Sequence, residues 1–432
     1  MKYKVKSDRF EFVSSDSREC DDKTAFVLDW YSRAYEAEAR KKGAAAILEA
    51  GDLGAYFDAN LPIVGITGTN GKTTIAALIY SILLDLDYRV AMQGTRGFFM
   101  GDETIAQKGL TTPVLLDNYA RVDLAKRRGC DFFISEVSSH AIAQERLKGL
   151  AFALKIHSNI TGDHLDFHDS FEEYRRVKNG FFADDCLKLI NRDDPLIEFN
   201  VANARSYAID ATATFKLEAY SPKEGLSGAI AFGSERATFN SALIGRFNLY
   251  NILAAVGAVK ALTDKPLQTI CDQVENFGGV AGRMEVVSRD PLVIVDFAHT
   301  PDGIDKALEA LYPRKIVAVL GAGGDRDRTK RPLMGAAAAK HSRKLYISSD
   351  NPRSENPLTI IDEIKVGCGT RPNVFCVVDR KKAIATALGD LASDEILVIL
   401  GKGDEATQTI GDQILPFSDR EVVLELLKGG AA

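Results

Sequence analysis

The sequence predicts an α/β protein built from three domains, and three observations support this. The 432 residues exceed what a single hydrophobic core usually supports. Apolar strand-like runs alternate with helical patterns through most of the chain, which is typical of mostly parallel sheets covered on both faces. A glycine-containing loop at 278–282 interrupts this alternation and precedes a second α/β pattern. We therefore predict domains at residues 1–60, 61–279 and 280–432.

The first two predicted domains differ in their elements. Short β-like runs and a polar helical segment at 34–42 predict a small N-terminal α/β domain. The second domain is predicted to contain a mostly parallel central sheet, because helix-like segments separate its apolar runs. These runs lie at 61–67, 132–135, 155–159 and 187–190, with a more β-like region at 215–243.

The third predicted domain contains three apolar strands that end in polar loops. The strands cover 315–320, 344–348 and 395–400. In doubly wound sheets, ligands bind beyond the carboxyl ends of the strands. We therefore predict a Rossmann-like C-terminal domain in which these three loops converge.

Composition excludes several classes of protein. The chain is 46% hydrophobic and 26% charged, has a net charge of −6, and contains no long basic cluster that would indicate a nucleic-acid partner. No stretch reaches the roughly 18 apolar residues of a membrane span, and the polar N-terminus lacks the apolar run of a signal peptide. We expect a cytoplasmic protein with neither a nucleic-acid nor a membrane partner, and reduced cysteines.

The most specific motif is a glycine loop between a predicted strand and a predicted helix. Backbone N–H groups in such a loop can surround phosphate oxygens, while Lys72 can reach the β and γ phosphates and the Thr73 hydroxyl can bind Mg²⁺. The alternative is a glycine turn with an exposed lysine, which the strand and helix on either side disfavour. The loop indicates a central domain like those of P-loop ATPases. Its residues are Gly68, Thr69, Asn70, Gly71, Lys72, Thr73 and Thr74.

Two further segments follow predicted strands and carry metal-binding residue types. Glu136 follows the strand at 132–135, and His164 follows the strand at 155–159. A carboxylate and an imidazole beside the phosphates suit a divalent ion. Alone, His164 would more often be a packed or solvated histidine.

These motifs resemble those of the Mur ligases, and the similarity covers essentially the whole chain. The loop Gly-Thr-Asn-Gly-Lys-Thr-Thr is shared with that family and, with a different ending, with folylpolyglutamate synthetases. The resemblance implies an ATP-dependent, amide-bond-forming ligase with ATP and Mg²⁺ as cofactors. It implies catalytic roles for Lys72, Glu136, His164 and Lys178. Thr73, Glu136, His164 and a carbamate formed from Lys178 and CO₂ would hold the metal.

The resemblance also implies residues for both nucleotide substrates. Asn248, Arg283, Asp296 and His299 match segments around ATP, although singly they could be a helix cap or an ion-pair partner. The residues that match positions holding a UDP-muramyl peptide are Ser15, Ser17, Thr111, Thr112, Ser138, Gln144 and Arg146. Leu110 stands where an asparagine is often found, and a polar turn is an equal alternative for Ser15 and Ser17.

The polar loops of the C-terminal domain suit a zwitterionic amino acid. Such a ligand needs a guanidinium for its carboxylate and an acid for its ammonium, although charged loops are usually just solvated. The sequence Asp-Asn-Pro-Arg resembles the specificity motif of Mur ligases that add meso-diaminopimelate, and Asp404 replaces a histidine common in the last loop. The predicted contacts are Arg326, Asp350, Asn351, Pro352, Arg353, Gly401 and Glu405.

The implied partners are therefore a UDP-N-acetylmuramoyl dipeptide and meso-diaminopimelate, joined through an acyl phosphate in peptidoglycan precursor synthesis by a monomeric enzyme. Two alternatives remain. A lysine-adding or folylpolyglutamate-type ligase is disfavoured by the pair Thr73-Thr74 and by the Asp-Asn-Pro-Arg motif. A P-loop switch or binding protein would lack ligase chemistry altogether.

Overall fold

The structure is a computed structural model that describes residues 2–163, 167–223 and 225–429, so the predicted ligand His164 lies outside the described residues. It confirms the predicted α/β class, with separate N-terminal, central and C-terminal sheets. The predicted domain boundaries fall between the strands of successive sheets, and their placement remains a prediction. No helix in the described ranges combines the length and apolarity needed to cross a membrane.

The N-terminal sheet is small and packs against the central unit. Its strands run in the order β1-β2-β3-β4, and all but the β1–β2 pair are parallel. Val13 of this unit shares a hydrophobic core with Leu116 and Tyr119. The elements are β1 (Lys2–Lys4), β2 (Phe12–Ser14), β3 (Thr24–Val27), α1 (Glu36–Lys41) and β4 (Ala46–Leu48).

In the described central part of the chain, eleven strands form one sheet with a parallel middle and antiparallel edges. The strands are β5 (Ile63–Thr67), β6 (Val90–Gly94), β7 (Gly97–Met100), β8 (Glu103–Ala106), β9 (Phe132–Glu136), β10 (Phe152–His157), β11 (Lys188–Asn191), β12 (Ala204–Ala208), β13 (Phe215–Ser221), β14 (Leu226–Phe232) and β15 (Glu235–Ser241). The helices are α2 (Lys72–Asp85), α3 (Leu115–Arg127), α4 (Ser139–Ala143), α5 (Phe171–Gly180), α6 (Arg246–Leu262) and α7 (Leu267–Asp272).

The order of the central strands places the phosphate loop in the middle of the sheet. From one edge, the order is β15-β14-β13-β12-β11-β10-β5-β9-β6-β7-β8. Strand β5 therefore lies between β9 and β10, and the segments that follow all three parallel strands meet at one edge. The β-like region at 215–243 forms an antiparallel extension of this same sheet.

The C-terminal sheet is parallel except for its first strand, β16, and has the order β16-β17-β21-β18-β19-β20. Its strands are β16 (Glu285–Arg289), β17 (Leu292–Asp296), β18 (Lys315–Leu320), β19 (Ser342–Ile347), β20 (Val374–Cys376) and β21 (Glu395–Leu400), and a hairpin adds β22 (Thr407–Ile410) and β23 (Gln413–Pro416). The helices are α8 (Pro301–Glu309), α9 (Lys330–His341), α10 (Pro357–Val366), α11 (Arg380–Gly389) and α12 (Asp419–Gly429).

Both faces of the C-terminal sheet are covered, as its apolar strands predict. Side chains alternate between the two faces of a strand, so a strand that is apolar throughout needs packing on both sides. In β18, Ile316 and Leu320 contribute to one hydrophobic core, and Val317 and Val319 contribute to the other. Helix starts are well defined: Thr300 caps α8, with proline at the first helical position.

One predicted strand ends earlier in the structure. The sequence predicts a strand over 155–159, whereas β10 ends at His157. The Ser158 hydroxyl and the oxygen atoms of Asn159 bind the neighbouring phosphate loop, while the backbone N of Ser158 still donates to Thr67 O of β5 at 3.0 Å.

A buried ion pair links the last two helices to the end of β21. Arg380 Nε donates to Asp419 Oδ1 at 2.7 Å, and Arg380 Nη2 donates to Leu400 O at 3.0 Å. Both charged side chains are 0% exposed. The pair thereby holds the backbone directly before Gly401 in the predicted amino-acid pocket.

We predict that Asp419→Ala lowers the free energy of unfolding by about 3–5 kcal/mol, because it leaves the Arg380 charge buried without its partner. Urea titrations followed by circular dichroism measure this. Lys381 lies on the same helix as Arg380 and forms an exposed ion pair with Glu425. Lys381→Ala should therefore change the free energy of unfolding by no more than about 0.5 kcal/mol. Equal stability of the two variants would contradict the assigned role of the buried pair.

Candidate active site

The phosphate loop takes a conformation that requires glycine at its first position. Gly68 has a φ of 150°, and a Cβ there would collide with Ser158 Oγ. This close approach lets the segment after β10 bind the loop. Thr69 N donates to Asn159 O at 2.7 Å, and Asn70 N donates to Asn159 Oδ1 at 3.0 Å. The loop is therefore held in shape by its neighbour.

Lys72 begins α2 and points back over the loop. Its Nζ donates to the carbonyl oxygens of Gly68 at 2.8 Å and Thr69 at 2.9 Å. Burial lowers the pKa of Lys72, while the charges of Glu136 and Asp163 oppose this shift. The side chain lies where a lysine can meet phosphate oxygens held by the loop.

Glu136 ends β9 beside Thr73, as the sequence predicts. Thr73 Oγ1 donates to Glu136 Oε2 at 2.9 Å, and the carboxylate is almost fully buried. Thr95, which follows β6, donates to the same carboxylate through its backbone N at 3.0 Å and its hydroxyl at 3.2 Å. Sequence reasoning missed Thr95, whose signal is its position directly after a strand. The two threonines orient the Glu136 oxygens.

Lys178 is a buried lysine that shares an acceptor with Lys72. Its Nζ donates to Gly68 O at 2.8 Å, and the residue is 1% exposed. Tyr174 supports the arrangement, because its hydroxyl lies 2.8 Å from Thr69 Oγ1. Burial, and then the charge of Lys72, hold the pKa of Lys178 well below its ordinary value. The neutral amine, which is the nucleophilic form of a lysine, is therefore more accessible than in an exposed lysine.

Thr73 and Glu136 are suitable oxygen ligands for Mg²⁺, but they do not form a complete site. Within the described ranges, no group of three or more His, Cys, Asp or Glu side chains is placed to hold a metal ion. The side chain of Lys178 points at the same loop from another direction. These positions fit a metal only if further oxygen atoms join Thr73 and Glu136.

A cavity of about 430 Å³ extends from the phosphate loop between the central and C-terminal sheets. It combines polar groups and apolar surface, the usual composition of a small-molecule site. The four residues predicted from the resemblance to bind ATP all line it: Asn248, Arg283, Asp296 and His299.

Asn248 lies in the first turn of α6 and is not its N-cap, which is Gly245. Its Nδ2 donates to Ile244 O at 2.8 Å, and its Oδ1 accepts from Asn251 Nδ2 at 2.7 Å. The cap alternative is therefore wrong. Asn248 instead connects the start of α6 to Asn251, which also lines the cavity next to the phosphate loop.

The C-terminal side of this cavity is formed around the end of β17. Asp296 accepts from the backbone N of Met284 at 2.7 Å, and burial raises its pKa while Arg283 opposes the shift. Arg283 stacks on Phe297, with its Cζ 4.2 Å from the ring centroid. The ion-pair alternative for Arg283 is not supported, since Glu285 pairs with Arg420. Burial also lowers the pKa of His299.

A second cavity, of about 350 Å³, joins the phosphate loop to the three C-terminal loops. This confirms the predicted convergence of those loops and places them opposite Lys72. The predicted residues that line this cavity are Thr69, Asn70, Gly71, Lys72, Thr73, Thr74, Thr111, Glu136, Arg283, His299, Arg326, Asp350, Asn351, Arg353, Gly401 and Glu405. Pro352, the remaining member of the Asp-Asn-Pro-Arg motif, instead has its carbonyl packed against Gly324.

The acidic side of this second cavity depends on a lysine that sequence reasoning missed. Lys402 is 0% exposed, and its Nζ donates to Glu405 Oε2 at 2.9 Å and to Asn351 Oδ1 at 3.2 Å. Asn351 Nδ2 also donates to Glu405 Oε2 at 2.7 Å. Burial raises the pKa of Asp350, while the charges of Arg380 and Lys402 oppose this shift. The sequence signal for Lys402 is its position two residues after the end of a buried, mostly apolar strand.

Two guanidinium groups line the same cavity as these acids. Arg353 has a φ of 51°, and its Nη1 donates to Gly324 O at 2.5 Å. Burial, and then the charge of Arg326, lower the pKa of Arg353. Two cations facing one cavity form a favourable site for carboxylate groups.

Four of the seven residues predicted to hold a UDP-muramyl peptide form one hydrogen-bonded network beside Glu136. Thr112 Oγ1 donates to Glu136 O at 2.9 Å, and Ser138 N donates to Thr112 Oγ1 at 3.0 Å. Arg146 donates to Thr112 O at 2.7 Å and to Gln144 Oε1 at 2.6 Å. Thr111 lies next to this network, with its hydroxyl 3.1 Å from that of Thr95.

Ser15 and Ser17 lie in the N-terminal unit, in the segment between β2 and β3. The hydroxyl of Ser17 donates to Glu38 Oε2 at 3.0 Å, and Asp16 caps a short helical turn through Arg18 N. This is the polar turn considered as the alternative for these residues. Their contact with a nucleotide remains a prediction.

The chain is similar to known proteins along almost its whole length. The family described as Mur ligase middle domain matches residues 66–259, and the Mur ligase glutamate ligase domain matches residues 282–403. The chain is 54% identical over 427 residues to a UDP-N-acetylmuramoyl-L-alanyl-D-glutamate--2,6-diaminopimelate ligase of Wolinella succinogenes, covering 99% of this chain and 98% of that protein.

Two further comparisons agree. A Helicobacter pylori protein of the same name is 52% identical over 386 residues, covering 88% of this chain and 86% of the relative. A solved structure of a ligase of that name aligns with a TM-score of 0.68 and 29% identity, covering 97% of this chain and 95% of the other. The chain belongs to the Mur ligase family, whose members are ATP-dependent, amide-bond-forming ligases.

Proposed function

We propose that this chain adds meso-diaminopimelate to UDP-N-acetylmuramoyl-L-alanyl-D-glutamate at the expense of ATP, a step of peptidoglycan precursor synthesis. One observation carries the proposal: Lys72 of the phosphate loop and Arg326 and Arg353 of the C-terminal loops line the same cavity. A ligase of this kind must bring a phosphate donor and an amino acid to one reacting carboxyl group. The names of the closely similar relatives support the same substrates.

ATP would span the two cavities. The adenosine would occupy the cavity lined by Asn248, Arg283, Asp296 and His299. Its phosphates would then lie on residues 68–74, where backbone N–H groups and Lys72 meet the anion. Mg²⁺ would be held by Thr73 and Glu136, with the carbamate of Lys178 and His164 as further ligands, and would neutralise phosphate charge.

A carbamate at Lys178 is supported by the charges around Gly68. Lys72 and Lys178 both donate to Gly68 O, so two buried cations would otherwise compete for one carbonyl. The lowered pKa of Lys178 makes its neutral amine more accessible, and that amine can attack CO₂ with loss of a proton. The resulting anion would remove the repulsion with Lys72 and would add oxygen atoms beside the phosphate loop.

The reaction would proceed in two steps. The γ-carboxylate of the muramyl dipeptide attacks the γ-phosphate of ATP, forming an acyl phosphate and releasing ADP. The amine of the amino acid then attacks the acyl carbon, and phosphate leaves as the amide bond forms. Lys72 would stabilise the negative charge that develops during both steps. Thr111 and Thr112 lie beside Glu136, where they would position the reacting carboxyl group.

The amino acid would be recognised by opposite charges within the second cavity. Arg353 would bind the distal carboxylate of meso-diaminopimelate, with Arg326 close enough to add its charge. Glu405 would accept an ammonium group, oriented by Asn351 and Lys402. Lysine lacks the distal carboxylate and would leave Arg353 unpaired, which disfavours it strongly.

Each of the three predicted domains would bind a different part of the substrates. Residues 1–60 would bind the uridine end through Ser15 and Ser17, residues 61–279 would bind ATP, and residues 280–432 would bind the amino acid. Each cavity is formed within one chain, so we propose that a monomer is active. Both nucleotide substrates are cytoplasmic metabolites in this scheme, so the reaction would take place in the cytoplasm.

We predict that phosphate release requires ATP, UDP-N-acetylmuramoyl-L-alanyl-D-glutamate and meso-diaminopimelate together. The amine acceptor is needed because phosphate leaves only when the acyl phosphate is attacked and water is excluded. Phosphate release with each substrate omitted in turn measures this. Replacing meso-diaminopimelate with lysine should lower kcat/KM by at least about a hundredfold.

Arg353→Ala provides the matched variant for selectivity. It should lose most of the response to meso-diaminopimelate while keeping ATP binding, because Arg353 faces the cavity away from the adenosine side. A wild-type preference for lysine would show that the Asp-Asn-Pro-Arg loop is assigned wrongly. Phosphate release at the same rate with and without either amino acid would favour a P-loop switch protein.

We predict that Lys178→Ala abolishes turnover and that added chloride or short carboxylates partly restore it. An anion can enter the space left by the side chain and replace the carbamate charge beside Lys72. Initial rates across a series of formate and acetate concentrations measure the rescue.

Lys178→Arg is the control for this rescue. Its guanidinium cannot form a carbamate at neutral pH and fills the space that the anion would need, so it should stay inactive in formate. Full activity of Lys178→Ala without any added anion would contradict the proposed role of the carbamate.

A further inference from the structure

An ion pair joins the central and C-terminal parts of the site on the side of the amino-acid pocket. Lys108 Nζ lies 3.3 Å from Asp404 Oδ1, although the two residues are 296 positions apart. Lys108 belongs to residues 107–114, which we call the threonine segment because it contains Thr111 and Thr112. Asp404 belongs to residues 401–405, which we call the acidic turn.

The threonine segment is anchored to Glu136, the proposed metal ligand. Thr112 Oγ1 donates to Glu136 O at 2.9 Å, and Arg146 donates to Thr112 O at 2.7 Å. Thr112 is fully buried, whereas the side chain of Lys108 is 40% exposed at the rim. A contact made by Lys108 therefore acts on a segment whose other end is fixed in the site.

The acidic turn is anchored equally well on its own side. A Cβ at Gly282 would collide with the backbone N of Asp404, and a Cβ at Gly403 would lie 2.7 Å from Phe297 Cβ. The next residue, Glu405, is held by Lys402 at 2.9 Å. Asp404 thus projects from a tightly packed turn, and its carboxylate is only 19% exposed.

Lys108 also lies near an aromatic side chain in the wall of the amino-acid pocket. Its Nζ lies 5.9 Å from the centroid of the Phe297 ring, on which Arg283 stacks. Its charge is one of the influences that lower the pKa of Glu405, after the larger effects of Lys402 and Asn351. The cation is therefore placed between the acidic turn and the wall shared with the nucleotide cavity.

We propose that Lys108 and Asp404 are positioning residues whose ion pair fixes the threonine segment against the acidic turn. This inference rests on the proposed function, in which the threonine segment holds the acyl donor and the acidic turn holds the amino acid. The pair would then set the distance over which the amine approaches the activated carboxyl group.

The pair should act on the amino acid more than on ATP. The two sheets are also linked beside the phosphate loop, because Asn70 Nδ2 lies 3.3 Å from Asp302 Oδ2 and Lys330 Nζ lies 3.8 Å from Asp163 Oδ1. Loss of the Lys108–Asp404 contact leaves these links intact. Its effect is therefore expected in the KM for meso-diaminopimelate and not in the KM for ATP.

Charge reversal tests the proposal. Lys108→Glu and Asp404→Lys each place like charges in contact, and each should raise the KM for meso-diaminopimelate about fivefold or more. The KM for ATP should stay within about twofold of the wild type. The double variant, with the two charges exchanged, should return the KM for meso-diaminopimelate to within about twofold of the wild type.

Lys381→Glu is the matched control, since Lys381 forms an exposed ion pair with Glu425 inside the C-terminal unit. It should change neither KM. If a reversed variant folds poorly by circular dichroism, the neutral set Lys108→Gln, Asp404→Asn and their combination supplies the same test. In the neutral set, the factor by which the double variant raises the KM for meso-diaminopimelate should be smaller than the product of the factors of the two single variants.

Two results would overturn the proposal: unchanged KM values in both single variants, or a charge-exchanged variant as impaired as the product of its single changes. These outcomes are separate from failure of the proposed function. In that case the wild-type enzyme itself would release no phosphate in response to meso-diaminopimelate.

Discussion

The carbonyl oxygen of Gly68 accepts hydrogen bonds from Lys72 and Lys178, and this shared acceptor sets the electrostatics of the site. Two buried lysines around one carbonyl are unfavourable unless anions accompany them. The proposed anions are the phosphates of ATP and a carbamate on Lys178. The arrangement depends in turn on the close approach of Gly68 to Ser158, which allows the segment after β10 to hold the loop. The same constraint therefore connects loop shape, lysine placement and metal chemistry.

The site also requires that the central and C-terminal sheets face each other across the bound ligands. Neither the central nor the C-terminal sheet contains a complete site: one carries Lys72 and Glu136, and the other carries Arg353 and Glu405. Polar contacts between them occur on the nucleotide side, at Asn70 and Asp302, and on the amino-acid side, at Lys108 and Asp404. Substrates that bridge the sheets would favour the arrangement in which the reacting groups meet.

Sequence reasoning succeeded where the signal is local. The strands at 315–320 and 395–400 were predicted with their observed bounds, because each is a short apolar run bordered by polar residues. Lys72 and Thr73 could be identified from the glycine loop between a strand and a helix, and Glu136 from its place at the end of a strand. Pairings across long sequence separations could not be found in this way. Three contacts join residues that are far apart in the sequence and meet only in the folded chain: Lys402 with Asn351, Tyr174 with Thr69, and Lys108 with Asp404. The region at 215–243 was recognised as β-like, but nothing local indicates that it extends the central sheet.

A crystal structure with a non-hydrolysable ATP analogue and meso-diaminopimelate would test the central claim most directly. We expect Lys72 to contact the phosphates and Arg353 to contact a carboxylate of the amino acid within one continuous cavity. We also expect additional density on Lys178 that accounts for a carbamate. A structure with the amino acid bound on a surface remote from Lys72, while the nucleotide occupies the phosphate loop, would contradict this expectation.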